Sequence, residues 1–479
     1  MGDVGVSVRR GAPEDTDADT RVVGLFEGES LGEPGLQALV DSGEAKGGLK
    51  KVAVTHVNGK RVIVAGLGKR EEFDSEKARI AAASAAGRAS ELGTRSLSWA
   101  APTPEAAGGL VEGTLLKLYK FERFKSKKDD SDDGAGGIES LEVSSDADVA
   151  EAVSHARIGA EAQNRVRDLQ NLPGNVATPE FLADRAREVG RAHDSVDVET
   201  FGRDGIRGMG MGAFTAVAQG SVVEPQLIVL RYSGEGASGP HLGLVGKAVT
   251  FDTGGISIKP AGKMHEMKFD MTGGAAVIEA MDAIATLGLP AKVTAVVPST
   301  ENMPGGAAMK PGDIVKAMNG KTIEINNTDA EGRLILADAL CFAVDQGAER
   351  IVDIATLTGA IVVALGSTYC GLFSNDDDWY SEVEASCNAT GEVGWRLPLH
   401  PDYFELTKGQ YADLTNSAEA RKAPSSYAAE FLRQFVDDRP WVHMDIAGTA
   451  WATTLPYIGN GASGFGARTF IELASRLGG

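Results

Sequence analysis

The chain has 479 residues, too many for one ordinary hydrophobic core, so two domains are expected. Its 43% apolar content is that of a globular protein, and its 60 glycines suit tight strand-to-helix turns better than a helical bundle. A balance of 47 Lys plus Arg against 67 Asp plus Glu, net −20, opposes nucleic acid and anionic membranes and leaves small or cationic partners.

The N-terminal MGDVGVSVRRGAPEDTDADT has no apolar core for export, and Val6 stands where a myristoylation signal needs Ser or Thr, so no targeting segment is expected. Residues 1 to 125 then mix strand candidates (KKVAVTHV, KRVIVAGLG) with the alanine-rich helix candidate SEKARIAAASAAGRASEL, the pattern of a small α/β domain. No catalytic cluster stands out there. KSKKDDSDDGAGG, residues 125 to 137, reads as a charged loop, and DADVAEAVSHARIGAEAQNRVRDLQ as a long connecting helix. The boundary is set near residue 170, giving an N-terminal domain over 1–170 and a catalytic domain over 171–479.

From PGNVATPEFLADRAREV onward the strand candidates LIVLRY, HLGLVGKAVTF, KVTAVVPST, TIEINN, RIVDIATL and WVHMDIAG alternate with helices around 274–287 and 333–346. The expected fold class is therefore α/β: a smaller N-terminal α/β domain joined by a long helix to a domain with a central, mostly parallel or mixed sheet flanked by helices, its active site at strand ends. The uncharged run IATLTGAIVVALGSTYCGLFSN is interrupted by Thr, Gly, Ser and Tyr and flanked by acids, which predicts buried strand plus helix rather than a membrane span. Cys341, Cys370 and Cys387 show no CxxC spacing, so neither a disulfide framework nor a zinc ribbon is expected, and a reducing cytoplasm fits.

Several charges stand in glycine-rich or apolar surroundings: Lys247, Asp252 and Lys259 in LVGKAVTFDTGGISIKP, Asp270 in MKFDMTGGAA, and Asp329, Glu331 and Arg333 in NNTDAEGRLIL. Isolated charges are costly to bury, so such a set is tolerated only if its members compensate one another or bind an ion. Oxygen-rich ligation without histidine favours Mn²⁺, Mg²⁺ or Zn²⁺, and four carboxylates fit two ions better than one. Lys259 or Arg333 is then available to stabilise an oxyanion. The i, i+2, i+4 spacing of Asp329, Glu331 and Arg333 predicts an extended TDAEGR, with Gly332 allowing the turn into a helix from Leu334 and Arg333 facing an anion at the helix start. Lys247 and Asp252, five apart, would face opposite sides of a regular strand, so either a bulge intervenes or Asp252 lies past the strand end, the option TGG (253–255) favours by allowing a tight turn.

At these residues the sequence resembles the leucyl (cytosol) aminopeptidases, dinuclear metallo-exopeptidases whose signature NTDAEGRL stands here as Asn327 to Leu334. VGKAVTFDTGGISIKP, MKFDMTGGAA and NMPGGAAMKPGD extend the resemblance over residues 165 to 479. It implies two metal ions (Mn²⁺ or Zn²⁺, with Mg²⁺ also suitable) held by Lys247, Asp252, Asp270, Asp329 and Glu331, with Asp252 and Glu331 bridging. It implies that Lys259 polarises the scissile carbonyl and that Arg333 holds a bicarbonate acting as general base. The implied substrates are peptides with N-terminal leucine or other mostly apolar residues, the setting intracellular peptide turnover in the cytoplasm, and the assembly a homohexamer.

Other motifs weigh less. GISIKPAGKM fails the spacing of a phosphate loop and RGMGMGAF that of a dinucleotide fingerprint. His443 reads as a core histidine, and Met267 as core or pocket lining. A dinuclear phosphoesterase is the alternative enzyme from ligand chemistry alone, but such sites generally use histidines that this cluster lacks. DNA-binding relatives suggest a second role, which the acidic balance opposes.

Overall fold

Runs of β-branched and other apolar residues form the strands of two separate sheets in the computed structural model, which describes residues 4–126, 137–420 and 422–478. The chain divides into two units, Met1–Asn164 with Thr454–Gly459 and Arg165–Thr453 with Asn460–Gly479. The division falls inside the helix Ala150–Asn171. Most of the charged loop expected over residues 125 to 137 lies outside the described residues.

The first unit holds a six-stranded sheet in the order Gly5–Arg9, Ser140–Ser144, Ser96–Ala100, Thr20–Phe26, Lys60–Gly68, Val52–Val57. All pairs are parallel except the edge hairpin of Val52–Val57 with Lys60–Gly68. That hairpin turns at Asn58-Gly59, both at positive φ (51° and 80°), as a two-residue turn matched to strand twist requires. The alanine-rich helix Ser75–Glu91 packs against Ala106–Leu118 so closely that a Cβ on Gly113 would come within 2.2 Å of the Arg79 carbonyl oxygen. Small residues set that distance.

In the second unit the main sheet runs Gly394–Arg396, Cys370–Ser374, Trp441–Asp445, Arg350–Ala355, Leu242–Gly246, Lys292–Asn302, Gln226–Ser233, Val196–Phe201, with Ala248–Asp252 pairing beside Lys292–Asn302. It is mixed: four successive strands, Trp441–Asp445, Arg350–Ala355, Leu242–Gly246 and Lys292–Asn302, are parallel, and antiparallel pairs flank them on both sides. The helix Gly332–Asp345 buries Leu334, Leu336 and Leu340 in one core cluster with Val245, Val296, Ile351 and Phe435. Its first turn thereby stands over the strand ends.

Two expectations need correction here. TIEINN does not join the main sheet; only Thr322–Glu324 is a strand, in a small sheet with Ile314–Lys316 and Leu414–Thr415, because the chain turns at the two asparagines. The run after Asp353 does contain a strand end, a helix (Gly359–Leu365) and a strand (Cys370–Ser374), but the helix is not buried. With only Ile361 turned inward, its Val363 is 90% exposed. Among the described residues no helix is long and apolar enough to cross a membrane.

Candidate active site

The apolar segment expected as one strand, HLGLVGKAVTF, is broken at Lys247 into Leu242–Gly246 and Ala248–Asp252. Glycines allow the break. A Cβ on Gly246 would lie 2.5 Å from the Gly273 carbonyl oxygen, and one on Gly273 would lie 2.2 Å from that of Ile354. The Lys247 N–H still donates to the Ile354 carbonyl of the neighbouring strand at 3.0 Å, and its ammonium sits 2.8 Å from Asp270 Oδ2 and 2.9 Å from Glu331 Oε1 and donates to the Thr356 carbonyl at 3.0 Å. Asp270 comes from a 3-10 turn, Met264–Met271, that leads into the helix Thr272–Leu287.

Asp252 is not past its strand end. It closes the strand Ala248–Asp252, and an irregularity in the pairing between Val249 and Asp252 turns its side chain toward the cluster. Its Oδ1 accepts from Gly254 N and Asn302 Nδ2, both at 2.8 Å, and its Oδ2 lies 2.7 Å from Lys259 Nζ. Gly254 and Gly255, at φ 85° and 65°, make the tight turn that returns the chain to Lys259.

The signature segment is not extended either. Thr328 and Asp329 form a turn, closed by Asn327 Oδ1 accepting from Asp329 N at 2.9 Å, and Glu331 already has helical backbone angles as the residue before Gly332–Asp345. The turn still converges the side chains: one carboxylate oxygen from each of Asp252, Asp329 and Glu331 falls within 4.8 Å of the others. Lys259 Nζ stands 2.5 Å from Asp329 Oδ1. Glu331 Oε2 is buried and accepts no hydrogen bond from the described residues. Three converging carboxylate oxygens, one of them on a carboxylate with an unused oxygen, are a donor set that fits a hard or borderline divalent cation.

Burial opposes charge on both lysines, but the surrounding carboxylates outweigh it and raise their pKa values: Asp270, Glu331 and Asp252 for Lys247, and Asp252, Glu331 and Asp329 for Lys259. Both are ammonium ions here. Burial likewise pushes the Asp270 carboxyl above its ordinary range, with Lys247 pulling against it. Asp329 is pushed up to about 6 by burial and by the adjacent Glu331 and Asp252 charges. This mutual repulsion is what bound cations would relieve.

Arg333 lies in the first turn of its helix, and it donates to the Asn416 carbonyl at 2.7 Å while its guanidinium sits over the Tyr427 ring. Among the described residues its Nε is buried without a partner, and no carboxylate pairs with it. Gly332 is not a turn residue: its backbone is helical, and a Cβ there would stand 2.7 Å from Lys247 Nζ. It is glycine to leave room for the lysine.

The cluster opens on a cavity of about 420 Å³ whose other lining includes Met264, Met267, Val362 and Trp451, the last stacked on Phe269. Residues 164–471 match the model of the cytosol aminopeptidase family, catalytic domain, and residues 22–128 that of the same family's N-terminal domain. The chain belongs to the cytosol aminopeptidase family. It is 44% identical to a probable cytosol aminopeptidase of Roseiflexus castenholzii, with 98% of each chain covered, and 42% identical to one of Cenarchaeum symbiosum, with 91% of each covered. Among solved structures it resembles the bottromycin maturation enzyme BotP in complex with Mn (TM-score 0.88, 34% identity, 96% of this chain and 100% of that one). It also resembles a lysine-to-glutamate mutant of tomato leucine aminopeptidase (TM-score 0.89, 30% identity, 99% and 97%).

The protein is thus a metallo-exopeptidase, a hydrolase that removes N-terminal residues from peptides. In this aminopeptidase all seven charged residues singled out in the sequence lie in one unit, six of them in one cluster, with Arg333 turned away toward Asn416. Met267 lines the cavity. His443 is fully buried, hydrogen-bonded to Asp353 at 2.6 Å and stacked on Trp441 and Phe373. Three uncharged residues escaped the sequence reading. Thr356 donates to Asp270 Oδ1 at 2.6 Å, Asn302 holds Asp252, and Asn416 holds the signature loop. A signal was available for Asn302, which opens the quoted motif NMPGGAAMKPGD two residues after the apolar run KVTAVVPST.

Proposed function

We propose that the aminopeptidase works with two divalent ions held by Lys247, Asp252, Asp270, Asp329 and Glu331, with Asp252 and Glu331 shared. The observation that carries this is Glu331: one carboxylate oxygen pairs with Lys247 and the other is buried with no partner, so the residue borders both halves of the cluster. Such ions, Mn²⁺ or Zn²⁺, supply Lewis acidity and a water that ionises near neutral pH.

The two lysines divide the remaining work by exposure. Lys247, with 3% of its side chain exposed, is sealed within the cluster and acts as a ligand once its proton is displaced. Lys259, 22% exposed and lining the cavity, is the ammonium that reaches a substrate carbonyl and holds the charge developing on its oxygen. Arg333, with an unpartnered Nε at a helix start, would hold a small anion such as bicarbonate, which would supply a general base there.

Met264, Met267, Val362 and Trp451 make an apolar wall suited to N-terminal leucine and similar side chains. Three buried, unbridged cysteines suit a reducing cytoplasm and a place in peptide turnover there. Exposed Trp395 and Tyr411 are side chains that a subunit contact in a homohexamer would bury.

The test is Asp329→Asn and Glu331→Gln, each removing a negative ligand. Turnover of a leucyl p-nitroanilide is expected to fall at least about 100-fold, with weaker retention of metal by elemental analysis. Near wild-type turnover with full metal occupancy in either variant would sink the ligand set.

A further inference from the structure

The signature segment between Glu324 and Gly332 has no strand ladder, yet Thr328 and Glu331 are almost wholly buried and Asp329 is only partly exposed. Buried peptide groups need partners, and here a single side chain supplies four of them. Asn416, fully buried at the end of the short strand Leu414–Thr415, accepts through Oδ1 from Asn326 N (2.9 Å) and Asn327 N (3.3 Å). Through Nδ2 it donates to the Asn327 carbonyl (2.7 Å) and the Ala330 carbonyl (3.3 Å). Its own carbonyl accepts from Arg333 Nη1 at 2.7 Å, and its N–H donates to the Glu324 carbonyl at 3.0 Å. The whole hydrogen-bonding capacity of a primary amide is spent on this one loop.

We infer that Asn416 is the positioning residue of the reaction, setting the carboxylates of Asp329 and Glu331 and the guanidinium of Arg333 relative to one another. This rests on the ligand set proposed above. The bonded peptides bracket both acids: Asn327 caps the Asp329 N–H, and the Ala330 carbonyl lies between Asp329 and Glu331 in the chain. Only an asparagine suits the position. Aspartate would set a carboxylate oxygen against two carbonyl oxygens, glutamine adds a methylene in a fully buried site, and alanine leaves four peptide groups unpaired. Asn416 touches neither the cavity nor a carboxylate, so its effect passes through the loop.

The experiment compares full-length wild type, Asn416→Asp, Asn416→Ser and the control Thr415→Val. Thr415 accepts from the Asn326 side chain next door but bonds no peptide group of residues 327–333. The readouts are kcat and KM for leucyl p-nitroanilide, Mn²⁺ retained at defined free Mn²⁺, and the thermal transition with and without Mn²⁺. Both Asn416 variants are expected to lose 10- to 100-fold in kcat with KM changed less than about threefold, and to hold one ion at least about tenfold more weakly. Their metal-free transitions should be lowered, since buried peptide groups lose partners, but should remain cooperative, and Thr415→Val should match wild type throughout. Asn416 variants that keep wild-type kcat and metal affinity overturn the role of Asn416 alone. Loss of the metal-free transition in both makes it a folding residue and also overturns the role. Wild type that retains no Mn²⁺ would overturn the ligand set, and this inference with it.

Discussion

Gly332→Ala separates packing from chemistry in this site. On backbone grounds the change is favourable, since Gly332 is in helical conformation and alanine is preferred over glycine in a helix by up to about 1 kcal/mol, less in the first turn. The new methyl, however, would stand 2.7 Å from both Cε and Nζ of Lys247 and 2.9 Å from its Cδ. Non-bonded carbons settle at about 3.5 to 4.0 Å, so the lysine must retreat by about 1 Å. It has nowhere neutral to go: its ammonium is bound to Asp270, Glu331 and the Thr356 carbonyl, with 3% of the side chain exposed. A displacement of that size in a reacting group costs on the order of 100-fold. The expected outcome is a melting temperature lowered by a few degrees at most, the helix gain offsetting part of the cost of moving the lysine, with kcat/KM for leucyl p-nitroanilide down about 100-fold and one Mn²⁺ held 10- to 100-fold more weakly in a metal titration. A variant with kcat/KM within threefold of wild type and both ions at wild-type affinity would refute the account of why position 332 is glycine.

Lys247→Ala should leave about one tightly held ion per chain by elemental analysis and little activity; two tight ions with ordinary turnover would remove Lys247 from the ligand set. Arg333→Ala should keep both ions but lose any acceleration by bicarbonate, because the arginine pairs with no carboxylate; equal acceleration in variant and wild type would end its assignment. The His443–Asp353 pair gives a pH signature. Burial lowers the His443 pKa, but Asp353 outweighs it and the net shift is upward, so the pair stabilises the fold fully below the unfolded value of about 6.5 and loses that contribution as pH rises through the higher folded value. The urea midpoint lost on Asp353→Asn should therefore be larger at pH 5.5 than at pH 8.5, and a loss independent of pH would contradict it.

How much of this was legible in the sequence depended on the kind of signal. Continuous apolar runs such as KVTAVVPST and RIVDIATL became the central strands Lys292–Asn302 and Arg350–Ala355, because a strand covered on both faces needs no alternation. Charges in apolar surroundings marked Lys247, Asp252, Asp270 and Glu331 for the same energetic reason that makes such burial rare. Local geometry was less legible. The every-second-residue spacing of Asp329, Glu331 and Arg333 looked extended, yet an Asn327 side chain closes a turn there, and a turn converges side chains as well as a strand does. Gly332 and the break at Lys247 depend on contacts between segments far apart in the chain, which spacing does not encode. Asn302, Thr356 and Asn416 carry no charge and sit at strand ends or in loops, where such residues are common for many reasons.

The two lysines also bear on how the protein comes into being. Four carboxyl groups crowded at one set of strand ends would ordinarily need a cation before the chain could close around them. Here the chain carries its own: each ammonium ties two acids from different segments, Lys247 joining Asp270 to Glu331 and Lys259 joining Asp252 to Asp329. Each lysine thereby offsets the mutual repulsion of the two acids it joins, so a neutral residue in place of either would leave a pair of crowded carboxylates without their counter-charge.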